Sequence, residues 1–238
     1  MDCRRDLRPR FAPMTDSRAP AALLAAAVLG SLLVLAAPFQ TFLPVEISGL
    51  EAAGFVAYAW SVWLLARNLP LGWWVALVGV AIYAVVFYRV RLFAEVGIQV
   101  FYFVTSAQAI WVWVRGGKRG TGRPVGMLTN RQRMVLLPVA AVAVWGLREL
   151  LVVLRGAAPF WDSLSTVISL VAHLLLMGRF VDSWVLWVAV DVIYVPLYAS
   201  RGLYLTSVLY AALLLMSIRG LQNFLRLYRE RMERRAAS

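Results

Sequence analysis

The sequence predicts an all-α integral membrane protein with eight spans and both ends in the cytoplasm. Three observations carry that expectation. The 238 residues are 62% hydrophobic and 15% charged, with a mean hydropathy of +0.74; soluble domains run nearer 45–50% apolar and about 25% charged. Apolar runs of roughly span length recur eight times along the chain. The basic residues behind the formal net charge of +12 gather in alternate connections between those runs. The same charge could suit nucleic acid, but its placement reads as a topology signal beside anionic lipid. Cys3 is the one cysteine and His173 the one histidine. That rules out a disulfide framework or a cysteine metal site and argues against a metal enzyme.

The elements follow in order. Residues 1–19 form a basic leader with Arg4, Arg5, Arg8, Arg10 and Arg18. Residues 20–37 are apolar and end at Pro38. They read either as a cleaved signal peptide or as a first helix. The run exceeds the roughly 7–15 residues of a signal h-region, which favours a retained helix with its loop over 20–46. Residues 47–66, 73–88 and 94–114 are the next three spans, a first three-helix unit over 47–114. They hold Glu51, the pair Trp60 and Trp63, and then Glu95, Gln99 and Tyr102. Residues 115–158 combine a basic, glycine-containing loop with a linker span at 134–154. A second unit over 159–222 holds spans at 160–177, 184–198 and 203–221, and a basic tail closes the chain at 223–238.

Charge orients these spans. With the amino terminus inside, the inner connections hold nineteen basic residues: the leader, Arg67, the 115–133 loop, Arg179 and the stretch from Arg219 to Arg235. The outer connections hold four: Arg89, Arg91, Arg155 and Arg201. Seven spans would put either the leader or the tail outside, against that bias.

The stretch from Trp184 to Tyr210 carries the candidate chemistry. Trp184, Trp187, Asp191, Tyr194 and Tyr198 follow at spacings of three and four, so a helix puts them on one face. A carboxylate inside a span costs about 2.5–3.5 kcal/mol on insertion scales and is a functional candidate for that reason. Rings beside an anion suit a flat organic cation. The alternative is that the tryptophans pack between helices and Asp191 pairs with an arginine.

An internal repeat appears at an offset of 111 residues. It aligns Trp73 with Trp184, Ile82 with Ile193, Tyr83 with Tyr194, Phe87 with Tyr198, Leu92 with Leu203, Phe93 with Tyr204 and Ser106 with Ser217. One odd span separates the two units, so both cross in the same direction. Repeats of that kind place substrate near the midplane, between the units.

Two segments then carry a family resemblance. GWWVALVGVAIYAVVFYRVRLFAEVGIQVFYFVTSAQAIWVW resembles the first signature of the PnuC family of bacterial vitamin transporters, and DSWVLWVAVDVIYVPLYASRGLYLTSVLY the second. The likeness covers roughly residues 48–225. It implies a uniporter for nicotinamide riboside in the bacterial inner membrane, with thiamine, riboflavin or deoxynucleosides as substrates of relatives. It also implies a SWEET-like three-plus-one-plus-three bundle, a homotrimer, no energy coupling, and trapping of the substrate by a cytoplasmic kinase. The span at 20–37 lies outside that core.

The family's W-x-x-W motif, which stacks the substrate ring, falls on Trp184 and Trp187. The glutamine of its E-x-G-x-Q segment falls on Gln99, after Glu95, and an asparagine that opens the first signature falls on Asn68. Asp191, Tyr194, Tyr102 and Tyr210 complete the candidate site. The chain departs from the pattern at Gln108 and Ile110, which replace aromatics, at His173 and Ser183, where relatives carry Gln and Asn, and at Pro196, where glycine is common. His173 reads as a packed or hydrogen-bonded helix contact in preference to a proton relay. The expected partners are a small flat cation and the lipid bilayer, with no cofactor and no nucleic acid. No H-x-x-x-H pair, facing Ser–Lys dyad or G-x-S-x-G supports a membrane enzyme.

Overall fold

A computed structural model describes residues 28–32, 49–89, 91, 93–117, 122–155, 159–200 and 204–237. The reading of residues 20–37 therefore lies outside the described residues except for a helical piece, α1, at 28–32. The Trp60 indole donates to Ser31 Oγ at 2.9 Å and ties that piece to the next helix. Seven long helices follow: α2 Gly49–Ala66, α3 Leu71–Arg89, α4 Phe93–Val114, α5 Asn130–Val153, α6 Pro159–Met177, α7 Asp182–Ser200 and α8 Tyr204–Ala236. Among the described residues, six helices are long and apolar enough to cross a membrane. Their bounds fall within a few residues of the apolar runs, except that α8 continues unbroken through the basic tail.

The 111-residue offset reappears in the helices themselves. Shifted by that amount, α3 superposes end to end on α7, α2 ends where α6 ends, and α4 begins where α8 begins. Burial follows the same register. Trp73 and Trp184 are both 1% exposed, and Leu65 with Leu176 and Trp113 with Phe224 form the centre of the core. Trp73 meets Trp113 edge-on at 5.7 Å, and Trp184 meets Phe224 edge-on at 5.6 Å.

Within each unit the helices pack as sequence neighbours; between units α2 packs on α8 and α4 on α6. Those cross-contacts are reciprocal in chemistry. The last carbonyls of a helix have no partner in their own helix. Here Asn223 of α8 donates to Ala66 O, at the end of α2, at 3.0 Å. Trp113 of α4 donates to Leu176 O and Met177 O, at the end of α6, at 3.1 and 3.2 Å. Each unit thus caps the other.

The corners that follow are also equivalent. Asn68 donates its backbone N–H to Leu65 O, and Leu69 to Leu64 O. Arg179 donates to Leu176 O, and Phe180 to Leu175 O. Both turns are Schellman closures, and both put their corner residue in the left-handed region at φ 61°.

The linker helix α5 begins on a capping box between Thr129 and Gln132. It packs on α6, and none of its residues is buried. Asp182, in the first turn of α7, anchors its base: one carboxylate oxygen accepts from Leu128 N at 2.8 Å, the other from Arg133 at 2.7 and 3.0 Å. The loop is pinned a second time where Val181 N donates to Gly126 O and Gly126 N to Arg179 O. Replacing Asp182 with alanine leaves an amide and a guanidinium unpartnered. It is expected to cost about 1.5–3 kcal/mol, read as a lower unfolding temperature in detergent. A change within about 0.5 kcal/mol would show the anchor to be no more than a surface pair.

Candidate functional site

In a bilayer the backbone is satisfied inside each helix, so side-chain polarity has to be turned inward. A cavity of about 350 Å³ lies between the two units, and Ser61, Ser106, His173, Asp191 and Ser217 are the buried polar side chains among the described residues that line it. Its wall draws on α2, α3, α4, α6, α7 and α8.

Seven of the nine residues singled out in the sequence line this cavity: Trp184, Trp187, Gln99, Asp191, Tyr194, Tyr102 and Tyr210. The side chain of Glu95 lies outside the described residues, as does that of Tyr198. Asn68 does not line the cavity. The Schellman turn carries it to the end of the bundle, where its Oδ1 accepts from Arg179 Nε at 2.9 Å.

The two tryptophans of the motif differ. Trp187 is half-buried on the wall, where its face is open to a ligand. Trp184 is packed away at 1% exposure against Phe224 and Gly220. A Cβ on Gly220 would come within 2.6 Å of its ring, so the glycine makes room for it. For Trp184 the packing alternative describes the geometry better than a stacking platform does.

Asp191 is 3% exposed and is the one carboxylate among the described lining residues. It does not pair with an arginine. Its Oδ2 accepts from Ser217 Oγ at 2.8 Å, and the described residues offer it no counter-ion. Tyr194 and Tyr210 lie beside it, ring centroids 4.7 Å apart. Across the cavity, His173 Nε2 is 2.9 Å from Thr105 Oγ1, and its ring meets Tyr102 at 4.7 Å and Trp73 at 5.4 Å. This histidine is hydrogen-bonded and packed, and it also lines the cavity.

The sequence reading missed Trp73, Tyr58, Tyr83, Ser106 and Ser217 as wall residues. The signal was present: the 111-residue offset pairs four of them with one another or with a known candidate. The offset also explains an orphan. Ser217 faces Asp191, while its equivalent Ser106 has Val80 at the position matching Asp191. Ser106 Oγ is accordingly buried with no hydrogen-bond partner, as are the indole nitrogens of Trp73 and Trp184. All three groups belong to lining residues, and buried polar atoms of this kind are uncommon in native proteins.

With this geometry in view, comparison with known proteins becomes informative. A family profile described as "Nicotinamide mononucleotide transporter" matches residues 48–226, well over half of the chain. The chain belongs to this family. It is similar to the nicotinamide riboside transporter PnuC of Escherichia coli K12, at 26% identity over 215 residues, covering 79% of this chain and 90% of the relative. It is also similar to the PnuC of Neisseria mucosa, at 27% identity over 129 residues, covering 52% of this chain and 49% of the relative. A solved structure titled "Crystal structure of the Vitamin B3 transporter PnuC" matches at a TM-score of 0.62 and 23% identity, covering 86% of this chain and 92% of that one. That likeness shows a shared fold. The PnuC resemblance of the two signatures is therefore a family membership, and the chain is a multi-pass membrane transporter rather than an enzyme.

The close fit at Gly220 yields a prediction. Gly220→Ala forces the Trp184 ring or α8 to move and is expected to destabilise the protein by about 1–3 kcal/mol. Thermal unfolding followed by tryptophan fluorescence measures it. An unchanged midpoint would mean that α8 can slide at this point without penalty.

Proposed function

We propose that this transporter imports nicotinamide riboside by facilitated diffusion. The observation that carries the reading is Asp191: a carboxylate inside an aromatic cavity, held by a serine and met by no cation among the described residues. Nicotinamide riboside is a flat cation with a hydroxylated sugar. Trp187 supplies a ring to stack on it, and cation–π attraction in a desolvated site is worth about 2 kcal/mol. Gln99, Tyr102 and the unpartnered Ser106 offer hydrogen bonds to the sugar. Tyr194 and Tyr210 line the same wall as the charge, and the packed Trp184 supports it. Asn68 serves the site at a distance, as the corner that holds Arg179.

The two equivalent three-helix units around α5 support a SWEET-like three-plus-one-plus-three bundle of same-direction repeats, with α1 outside it. Rocking of one unit against the other then exposes the cavity alternately. The basic residues of the leader, of the 115–133 loop and of α8 support a bacterial inner-membrane protein with both ends in the cytoplasm. The unburied surface of α5 leaves room for neighbouring copies in a homotrimer. Phosphorylation in the cytoplasm removes the free riboside and makes accumulation independent of a coupling ion. An inside-negative potential adds about 2.3 kcal/mol per 100 mV for a monovalent cation.

Thiamine is the second reading, because it is also a flat cation and meets the same observation. Riboflavin is neutral and leaves Asp191 without a role. Calorimetric titration of the purified protein with all three, in parallel, separates them. Asp191→Asn keeps the Ser217 contact and removes the charge. It is expected to weaken binding of the true cationic substrate at least tenfold, which is about 1.4 kcal/mol, and Trp187→Ala is expected to weaken it comparably. Riboflavin binding unaffected by Asp191→Asn would sink the cation reading.

Transport in proteoliposomes tests the mechanism. Uptake is expected to rise with an inside-negative potassium diffusion potential and to ignore sodium and proton gradients. Strict dependence on either gradient, with the potential held constant, would replace uniport with symport.

A further inference from the structure

We infer that a basic recess at the tail end of the bundle is a binding site for a phosphate group. The recess holds about 360 Å³ and lies where the α2–α3 corner, the α6–α7 corner and the end of α8 meet. Asn68, Arg179, Arg231, Arg234 and Arg235 line it. It is separate from the central cavity, sharing none of its lining residues.

Two of these guanidinium groups are held in place by neutral acceptors. Arg179 donates from Nε to Asn68 Oδ1 at 2.9 Å and from Nη1 to Arg123 O at 2.7 Å, with its charge 4.7 Å above the Trp113 ring. Arg231 donates from Nη1 to Val125 O at 2.6 Å. Neither forms an ion pair with any described carboxylate. The acids nearest to them in sequence are engaged elsewhere: Asp182 with Arg133 at 2.7 Å, and Glu230 with Arg234 at 3.5 Å and Arg226 at 3.9 Å. Both guanidinium groups thus line the recess without a carboxylate partner among the described residues. Phosphate oxygens match the guanidinium fork, and two or more arginines around one recess match their charge.

Arg179 carries two costs that only its side chain can justify. Burial lowers its pKa from the ordinary guanidinium value to about 10, which still leaves it charged at neutral pH. Its backbone sits at φ 61°, where glycine or asparagine is the easier choice. The equivalent corner of the first unit does carry asparagine, and Arg179 is bonded to it. A phosphate here joins both corners to α8, so its binding is linked to the relative position of the two units. The site does not depend on which vitamin crosses the membrane.

Two sources carry the same chemistry: the headgroup of an anionic lipid and a soluble phosphate. The full chain in an uncharged detergent is unfolded thermally while sodium pyrophosphate, or short-chain phosphatidylglycerol, is titrated. Sodium chloride at matched ionic strength and phosphatidylcholine are the controls. The midpoint is expected to rise saturably in at least one arm, and at least fivefold less in Arg231→Gln/Arg234→Gln and in Arg179→Gln. Arg231→Lys, which keeps the charge but loses the fork, is the check that is least prone to misfolding, and it is expected to weaken the response as well. Vitamin binding in the central cavity is expected to stay within twofold in the Arg231 and Arg234 variants. Saturation by pyrophosphate assigns a soluble phosphate; saturation by phosphatidylglycerol alone assigns the headgroup. A rise matched by chloride, a rise unchanged in every variant, or none in either arm overturns the site.

Discussion

Hydrocarbon gives polar groups nothing to bond with, and the rest of this structure depends on that constraint. Apolar packing cannot draw the helices together as it would in water, because lipid tails are as apolar as leucine. Association has to come from close packing and from polar groups that find one another. The buried serines show the first response: Ser163, Ser165 and Ser183 each donate to a carbonyl of the preceding turn. The capped helix ends show the second, with Trp113 and Asn223 reaching across the seam between units. Groups that find neither solution are concentrated on the cavity wall.

That wall is a pair of equivalent halves made unequal by a few substitutions. Trp73, Tyr83 and Ser106 in one half correspond to Trp184, Tyr194 and Ser217 in the other. Val80 against Asp191, Gln99 against Tyr210 and Val62 against His173 break the equivalence. The first half is thereby left with an amide and an unpartnered hydroxyl, and the second with a charge. A ligand that is ionic at one end and hydroxylated at the other fits such a division better than a symmetrical one does.

The spans were legible because each is an apolar run bounded by arginine, proline or glycine, and the repeat was legible because large aromatics kept their register. The packed position of Trp184 was not. Spacing puts it on the same face as Trp187 and Asp191, but a helical face is wide, and which edge of it meets Gly220 is settled by a helix 36 residues further on. Asn68 lies off the central cavity for a different reason: the resemblance gave its place in the sequence, but it sits in a turn, where no periodicity fixes the direction of a side chain. The continuation of α8 through the tail was hidden by its charge, since Arg226, Glu230 and Arg234 read as a solvated end yet pair at helical spacing.

The uninterrupted α8 has a mechanical consequence. At about 1.5 Å per residue its 33 residues make a rod about 50 Å long. Gly220, where the rod is pressed against Trp184, sits near its middle, and the basic end projects about 24 Å beyond it. The rod is therefore a lever whose fulcrum is its contact with Trp184 on the cavity wall. A tilt of only about 5° shifts its basic end by about 2 Å, given that arm, so small adjustments at the cavity wall are amplified at the far surface, and a load applied there is felt at the Trp184 ring.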